Sequence, residues 1–395
     1  MGSAEKRLSI LVLTFASVNS GPRPLKQVRA LQERYDITTA GVGPAPRGVD
    51  DHIELQMGEG SNVAWRLLFT AVLALRLHRI AFWASSRNRD AWLKLRDREW
   101  DIIINHDVAT MTLALRLRAR IGRLTDLHEY APRQNDQDWK WRMTVAPYFR
   151  WICKHEVPKT DAITTVGVGI ADEYRRNYGF NASVVVNATP FQDLRPTALD
   201  GPIKLVHSGA PSPTRRIHVM IEAVRDTKAD VTFDLYLLED GSAYYQQLVD
   251  LAATTERVCI KEPVPYDQLV RTLNGYDVGL AVIAPLNFNQ AWCLPNKFFD
   301  FIQARLGVVV GPSPEMVRFV DDYGIGAVAA GFDSADVARV LDGLTSEVVT
   351  EWKHRSAEHA EALSGERQVG VWVTLVDELA ARGANPRDQA GTSRL

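Results

Sequence analysis

Short apolar runs alternate along this chain with stretches in which apolar residues return every three or four positions. The short runs are continuous rather than alternating, so they read as strands covered on both faces. In the first half they occupy residues 8–15, 37–40, 100–105 (WDIIIN), 123–127, 162–166 and 184–186. Between them lie helical patterns at 25–34, a single long helix expected over 62–82, and an aromatic and basic segment at 139–154 (WKWRMTVAPYFRWICK). Strand, helix and strand in that order predict parallel sheets with crossover helices.

The pattern breaks at Asn187-Ala188-Thr189-Pro190, stays irregular to Pro202, and then restarts. Strands are expected at 203–207, 231–238 (VTFDLYLL), 258–261, 278–283 and 308–310, with helices near 218–226, 267–273, 335–344, 347–363 and 369–381. The chain is therefore expected to be α/β, with two Rossmann-like, doubly wound domains at 1–190 and 191–368. A polar tail at 383–395 has the composition of a disordered segment.

Composition narrows the classes. A chain of 395 residues with 46% hydrophobic and 24% charged residues has the make-up of a soluble protein of two domains. A net charge of −2 supplies no general attraction to nucleic acid, so no nucleic-acid partner is expected. Cys153, Cys259 and Cys293 are far apart and lack metal-ligand spacing, which fits a reducing compartment. The apolar run at 8–15 ends in a polar turn and does not read as a secretory leader, and the apolar stretch 64–83 is interrupted by Arg66, Arg76, His78 and Arg79. The expectation is a cytoplasmic protein. The arginines of 62–82 leave open a peripheral contact at the inner face of a membrane.

Candidate chemistry gathers where the strands end, because open parallel sheets bind ligands outside their carboxyl ends. Gly21 lies in the first strand-to-helix turn. His106-Asp107 and Asp126-Leu127-His128-Glu129 follow two other strands. In the second half Gly209 follows a strand and precedes Arg215 and Arg216, a loop suited to a diphosphate. Glu239 and Pro263 end later strands, and Asn289 and Gln290 lie in a long polar turn. Residues 294–316 (LPNKFFDFIQARLGVVVGPSPEM) combine a helix start at Pro295-Asn296, with asparagine as a cap, and a buried strand. Unpaired amides there suit a phosphate, Lys297 adds charge, and Asp300 is placed to hold sugar hydroxyls. Trp139 and its neighbours are open to three readings: stacking on a sugar, meeting a membrane, or packing. Asp136-Gln137-Asp138 has the form of a DxD metal motif, but it follows a polar loop and precedes a helix, so a cap is expected.

The 294–316 block resembles the nucleotide-sugar-binding segment of GT-B glycosyltransferases, particularly the family-4-like retaining enzymes. Asp126–Glu129 resembles their D-x-H-E element, and Asn187 their short hinge, although Ala188 replaces its glycine. The resemblance implies a GT-B fold of two domains facing a central cleft, with the helix at 369–382 returning to the first. It implies hexosyl transfer from a UDP-, GDP- or dTDP-linked sugar to a glycan, lipid-linked or small acceptor, with neither metal nor other cofactor. It implies donor binding by Gly21, Gly209, Arg216, Glu239, Pro263, Asn289, Gln290, Asn296 and Asp300, and catalytic roles for Arg215, Lys297 and His128. His106, Glu129 and Trp139 fall on the acceptor side. Two positions depart from the family: Ala210 stands where an arginine is usual, and Trp292 where a glutamate contacts the sugar. A GT-B epimerase and a silent GT-B partner subunit are the alternatives.

Overall fold

The computed structural model describes residues 7–19, 21–56 and 63–384. They fall in two compact units, one drawn from Met1–Val185 and Val369–Leu395, the other Val186–Gln368. The division lies a few residues before the boundary expected at 190. Most of the polar tail, from 385 onward, is outside the described residues, but Gly383 and Ala384 still belong to the last helix, Gly365–Ala384.

The first unit holds a seven-stranded parallel sheet of β1 (Ser9–Leu13), β2 (Asp36–Gly41), β3 (Asp51–Glu54), β4 (Glu99–His106), β5 (Arg118–Leu127), β6 (Ala162–Thr165) and β7 (Ser183–Val184). Their order is β3-β2-β1-β4-β5-β6-β7. Successive side chains of a strand point to opposite faces, so Ile10 and Val12 pack with Ile102, Val376 and Leu379, while Leu11 and Leu13 pack with Phe82, Leu95 and Ile103. Both faces are covered, which is why these strands read as unbroken apolar runs. β3 (DHIE) was not expected from the sequence. It is a polar edge strand whose pairing rests on register with Thr38 and Thr39, and polar edges carry no apolar signature.

The single helix expected over 62–82 is two. Asn62 lies outside the described residues, and Val63–Ala74 is separated from His78–Ala84 by a corner at Arg76, whose φ is 59°. The segment 139–154 is likewise divided, into Trp139–Met143 and Val145–His155. Asp138 caps the first of these by accepting from the Lys140 amide. The last helix packs on the first unit: Trp372 donates to Thr164, and Asp377 accepts from Tyr35 and Arg34.

The second unit holds β8 (Ile203–Gly209), β9 (Val231–Leu237), β10 (Val258–Lys261), β11 (Val278–Ala281), β12 (Gly307–Val310) and β13 (Gly326–Val328), ordered β10-β9-β8-β11-β12-β13 and all parallel. β13 is too short to leave a pattern. In each sheet the strand order reverses beside the unit's first strand, and that reversal opens a crevice at the strand ends.

Candidate functional site

In the second unit, a cavity of about 530 Å³ opens at the end of β8. Ser208, Gly209, Arg215, Pro263, Lys297 and Asp300 are among its walls. Gly209 has φ of 133°, and a Cβ there would come within 3.1 Å of both the Arg215 guanidinium and the Lys297 ammonium. Glycine suits this backbone angle and leaves the two cationic heads room to approach the strand end together.

Lys297 sits in the first turn of the helix Asn296–Gln303 and is 7% exposed. Its Nζ lies 2.7 Å from His207 Nε2, and His207 Nδ1 lies 2.7 Å from the Leu280 carbonyl. A carbonyl oxygen only accepts, so Nδ1 carries the imidazole proton and Nε2 accepts from the ammonium. Burial, and then the charge of Lys297, hold His207 well below the ordinary histidine range. Burial and Arg215 lower Lys297 well below the usual lysine value. The floor of the cavity therefore concentrates positive charge at a cost that an anion would relieve.

One turn on, buried Asp300 accepts from Thr189 Oγ1 at 2.6 Å. Tyr266, also on the wall, is 61% exposed as a residue, but the desolvation of its hydroxyl and the charge of Asp300 push it up to about 12. The helix is anchored from below by Phe298, Phe299, Phe301 and Ile302, all fully buried. Phe301 packs where any Cβ on Gly279 would lie 2.2 Å from its ring, so a glycine in β11 sets how closely helix and sheet approach. Asn296 is not the cap expected. Pro295 occupies the cap position and has no side chain able to bond the first-turn amides, which leaves Asn296 exposed on the cavity wall.

Five expected donor-binding residues are not on this wall: Gly21, which belongs to the first unit, and four of the second. Arg216 takes φ of 48° and turns to Asp333, 3.4 Å away. Glu239 is exposed beyond the end of β9. Asn289 and Gln290 lie on the short helix Phe288–Ala291, where the Gln290 side chain accepts from Leu286 and its amide donates to Asn287. His207, Tyr236 and Tyr266 were missed. His207 carried a signal, as a polar residue closing an apolar run; the tyrosines carried none.

The first unit has its own cluster. His106 ends β4 beside Asp126 of β5, and its Nδ1 lies 2.9 Å from His128 Nε2. Arg23 grips Asp126 with two bonds of 2.7 Å, Nε to Oδ2 and Nη2 to Oδ1, while Thr164 donates to Oδ1 at 2.6 Å. The guanidinium also lies over the Trp372 ring at 4.7 Å. Gly21 precedes the helix Pro22–Leu31 in a turn so tight that a Cβ would lie 2.8 Å from the Ser17 carbonyl, and the first turn of that helix delivers Arg23. Burial would raise Asp126, but Arg23 and the two histidines hold it well below the carboxylate range. Burial lowers His106; for His128 burial is outweighed by Asp107 and Asp126, and its value rises. Asp107, at φ of 65°, accepts from the His128 amide at 3.1 Å. Burial and Asp107 raise Glu129. Trp139 is 62% exposed on a separate helix and takes no part in the cluster.

His106, Asp126 and His128 bring ligand atoms within 4.8 Å of one another, close enough for a metal. Both Asp126 oxygens already accept from Arg23, whose charge would repel a cation, so the donor set fits an ion-paired cluster better than a metal centre.

No protein-family model matches the chain, and no curated protein matches it. Solved structures match over nearly its whole length. A sucrose-phosphate synthase from Thermosynechococcus elongatus has a TM-score of 0.65 at 12% identity, over 95% of this chain and 100% of that one. A glycosyltransferase from Rickettsia africae gives 0.64 at 12% identity, over 95% and 99%. The Anabaena protein HepE, in complex with UDP and glucose, gives 0.63 at 12%, over 94% and 100%. The fold is GT-B. Within this GT-B frame the β8 cavity belongs to the second Rossmann-like unit and the histidine cluster to the first.

Proposed function

We propose that this chain is a glycosyltransferase that moves a hexosyl group from a nucleotide-diphospho-sugar to an acceptor, with retention and without a metal. The observation that carries this is the convergence of Arg215 and Lys297 over Gly209 at the open end of β8. Breaking a sugar–phosphate bond builds negative charge on the departing diphosphate. Two fixed cations and the uncapped amides of the Asn296–Gln303 helix oppose that charge, each well-placed donor contributing roughly 3 kcal/mol. Asp300 holds the ribose, and Pro263 borders the base. His128, raised by its acidic neighbours, is the catalytic group that the first unit offers. The HepE complex with UDP and glucose supports a nucleotide-sugar donor. The three free cysteines support a reducing, cytoplasmic setting. The hydrogen-bonded His106–His128 pair favours one other reading, epimerisation, which would yield an isomerised sugar nucleotide with no acceptor added.

A thermal-shift series with UDP-, GDP- and dTDP-sugars tests the reading. The matched donor at a hundredfold its Kd should stabilise the fold by about 2.7 kcal/mol. Turnover with that donor and an acceptor panel should then give a product of unchanged anomeric configuration. Absence of stabilisation by every nucleotide sugar overturns the proposal.

A further inference from the structure

The helix Val63–Ala74 is apolar around most of its circumference, yet only Val72 and Leu73 of its twelve residues are buried. A helix of that composition belongs in a core or against lipid, and in water it is costly. Val63 and Leu67 are exposed by about two-thirds, and the apolar surface continues through Leu75, Leu77, Ile80 and Trp83. It reaches the neighbouring helices, where Arg76 donates to the Met143 carbonyl at 2.8 Å and the His78 ring lies 5.7 Å from Tyr148. Met143 is itself 58% exposed.

Among the described residues of these helices the charge has one sign. No Asp or Glu occurs between Val63 and Arg89, or between Trp139 and His155, while Arg66, Arg76, Arg79, Lys140 and Arg142 all do and are exposed. Two shallow hollows adjoin here and share Arg79 and Trp151. One, of about 490 Å³, is completed by Arg116, His155 and Lys159. The other, of about 290 Å³, is completed by Arg76, Leu77, His78 and Ile80. Among the described residues, neither has a carboxylate on its wall. A soluble polyanion would satisfy the cations but leave the leucines wet, whereas a lipid surface with anionic headgroups satisfies both in one plane. Twelve residues span about 18 Å, short of the roughly 30 Å of a hydrocarbon core, so the helix lies flat. No described helix is long and apolar enough to cross a membrane.

We propose that this face of the first unit docks on an anionic bilayer surface. Leu67, Leu75, Leu77 and Ile80 enter the headgroup boundary, and the Arg79 hollows receive phosphate headgroups. The proposal does not depend on the sugar-transfer reaction.

Flotation of the full chain with vesicles tests it, using phosphatidylcholine alone and phosphatidylcholine containing about one-third phosphatidylglycerol. The chain should float with the anionic vesicles only, and less as salt is raised. Arg76→Ser with Arg79→Ser should weaken partitioning roughly 30-fold. Leu75→Ser with Ile80→Ser should weaken it about tenfold or more. Circular dichroism melts should stay close to the parent, since these side chains are exposed and the one bond lost, Arg76 to the Met143 carbonyl, lies at the surface. Equal binding to neutral vesicles, or unchanged partitioning of both double variants, overturns the proposal. So does self-association in sedimentation that Leu75→Ser with Ile80→Ser abolishes, because a second copy would then be what covers the face.

Discussion

The two units each gather charged side chains where the sheet order reverses, and they treat that charge oppositely. In the first, Asp126 is met by Arg23, Thr164 and two histidines, so the charge is balanced inside the protein. In the second, Arg215 and Lys297 converge, and the nearest base, His207, is kept neutral. A balanced cluster fixes geometry, whereas an unbalanced one is completed by what binds. The same topology thus yields a rigid wall in one unit and a receptive one in the other.

Breaking the balanced cluster should have the larger effect on stability. Asp126→Ala leaves a buried guanidinium without its carboxylate and should cost about 3–5 kcal/mol, seen as a lowered denaturation midpoint of the first unit. A loss below about 1 kcal/mol would mean that Arg23 is solvated, and the contrast would fail. The cavity should respond in turnover instead. Arg215→Ala and Lys297→Ala should each reduce kcat about 10²-fold or more while the fold stays intact, and unchanged kcat in both would remove the cavity from the mechanism.

A subtler measurement follows from protons. Lys297 titrates below the ordinary 10.5 in the ligand-free chain because burial and Arg215 disfavour its charge. Between its folded value and 10.5 the unfolded chain binds more protons, so stability should rise with pH across that window. A bound diphosphate should reverse the shift, and binding in the same window should take up close to one proton. Calorimetry in two buffers of different ionisation enthalpy reads this directly, and Lys297→Met should abolish it. Uptake that survives the substitution would assign the proton elsewhere.

Much of the fold was legible because it rests on local rules. Strands covered on both faces, such as β1, β4 and β12, show as apolar runs, and the strand-end rule drew attention to Gly209, Arg215 and Lys297. What stayed hidden depended on distant partners or on single dihedral angles. Nothing near Arg23 in sequence announces Asp126, which follows it by 103 positions. Arg215 and Arg216 read alike, but the left-handed backbone at Arg216 sends it to Asp333. The corner at Arg76 divides what periodicity presents as one helix. The edge strands β3 and β13 are too polar or too short for a pattern to form.

The helix Gly365–Ala384 also sets an order of events during synthesis. Trp372, Val376 and Leu379 are almost fully buried in the first unit, and Val376 and Leu379 complete the same core as Ile10 and Val12. The ribosome must translate all of Val186–Gln368 before that core can close, roughly 10–40 s at ordinary elongation rates. The second unit, contiguous in the chain, can fold as it emerges. The half of the protein made first is therefore the half finished last, and its open sheet is the surface that chaperones would need to shield in the interval.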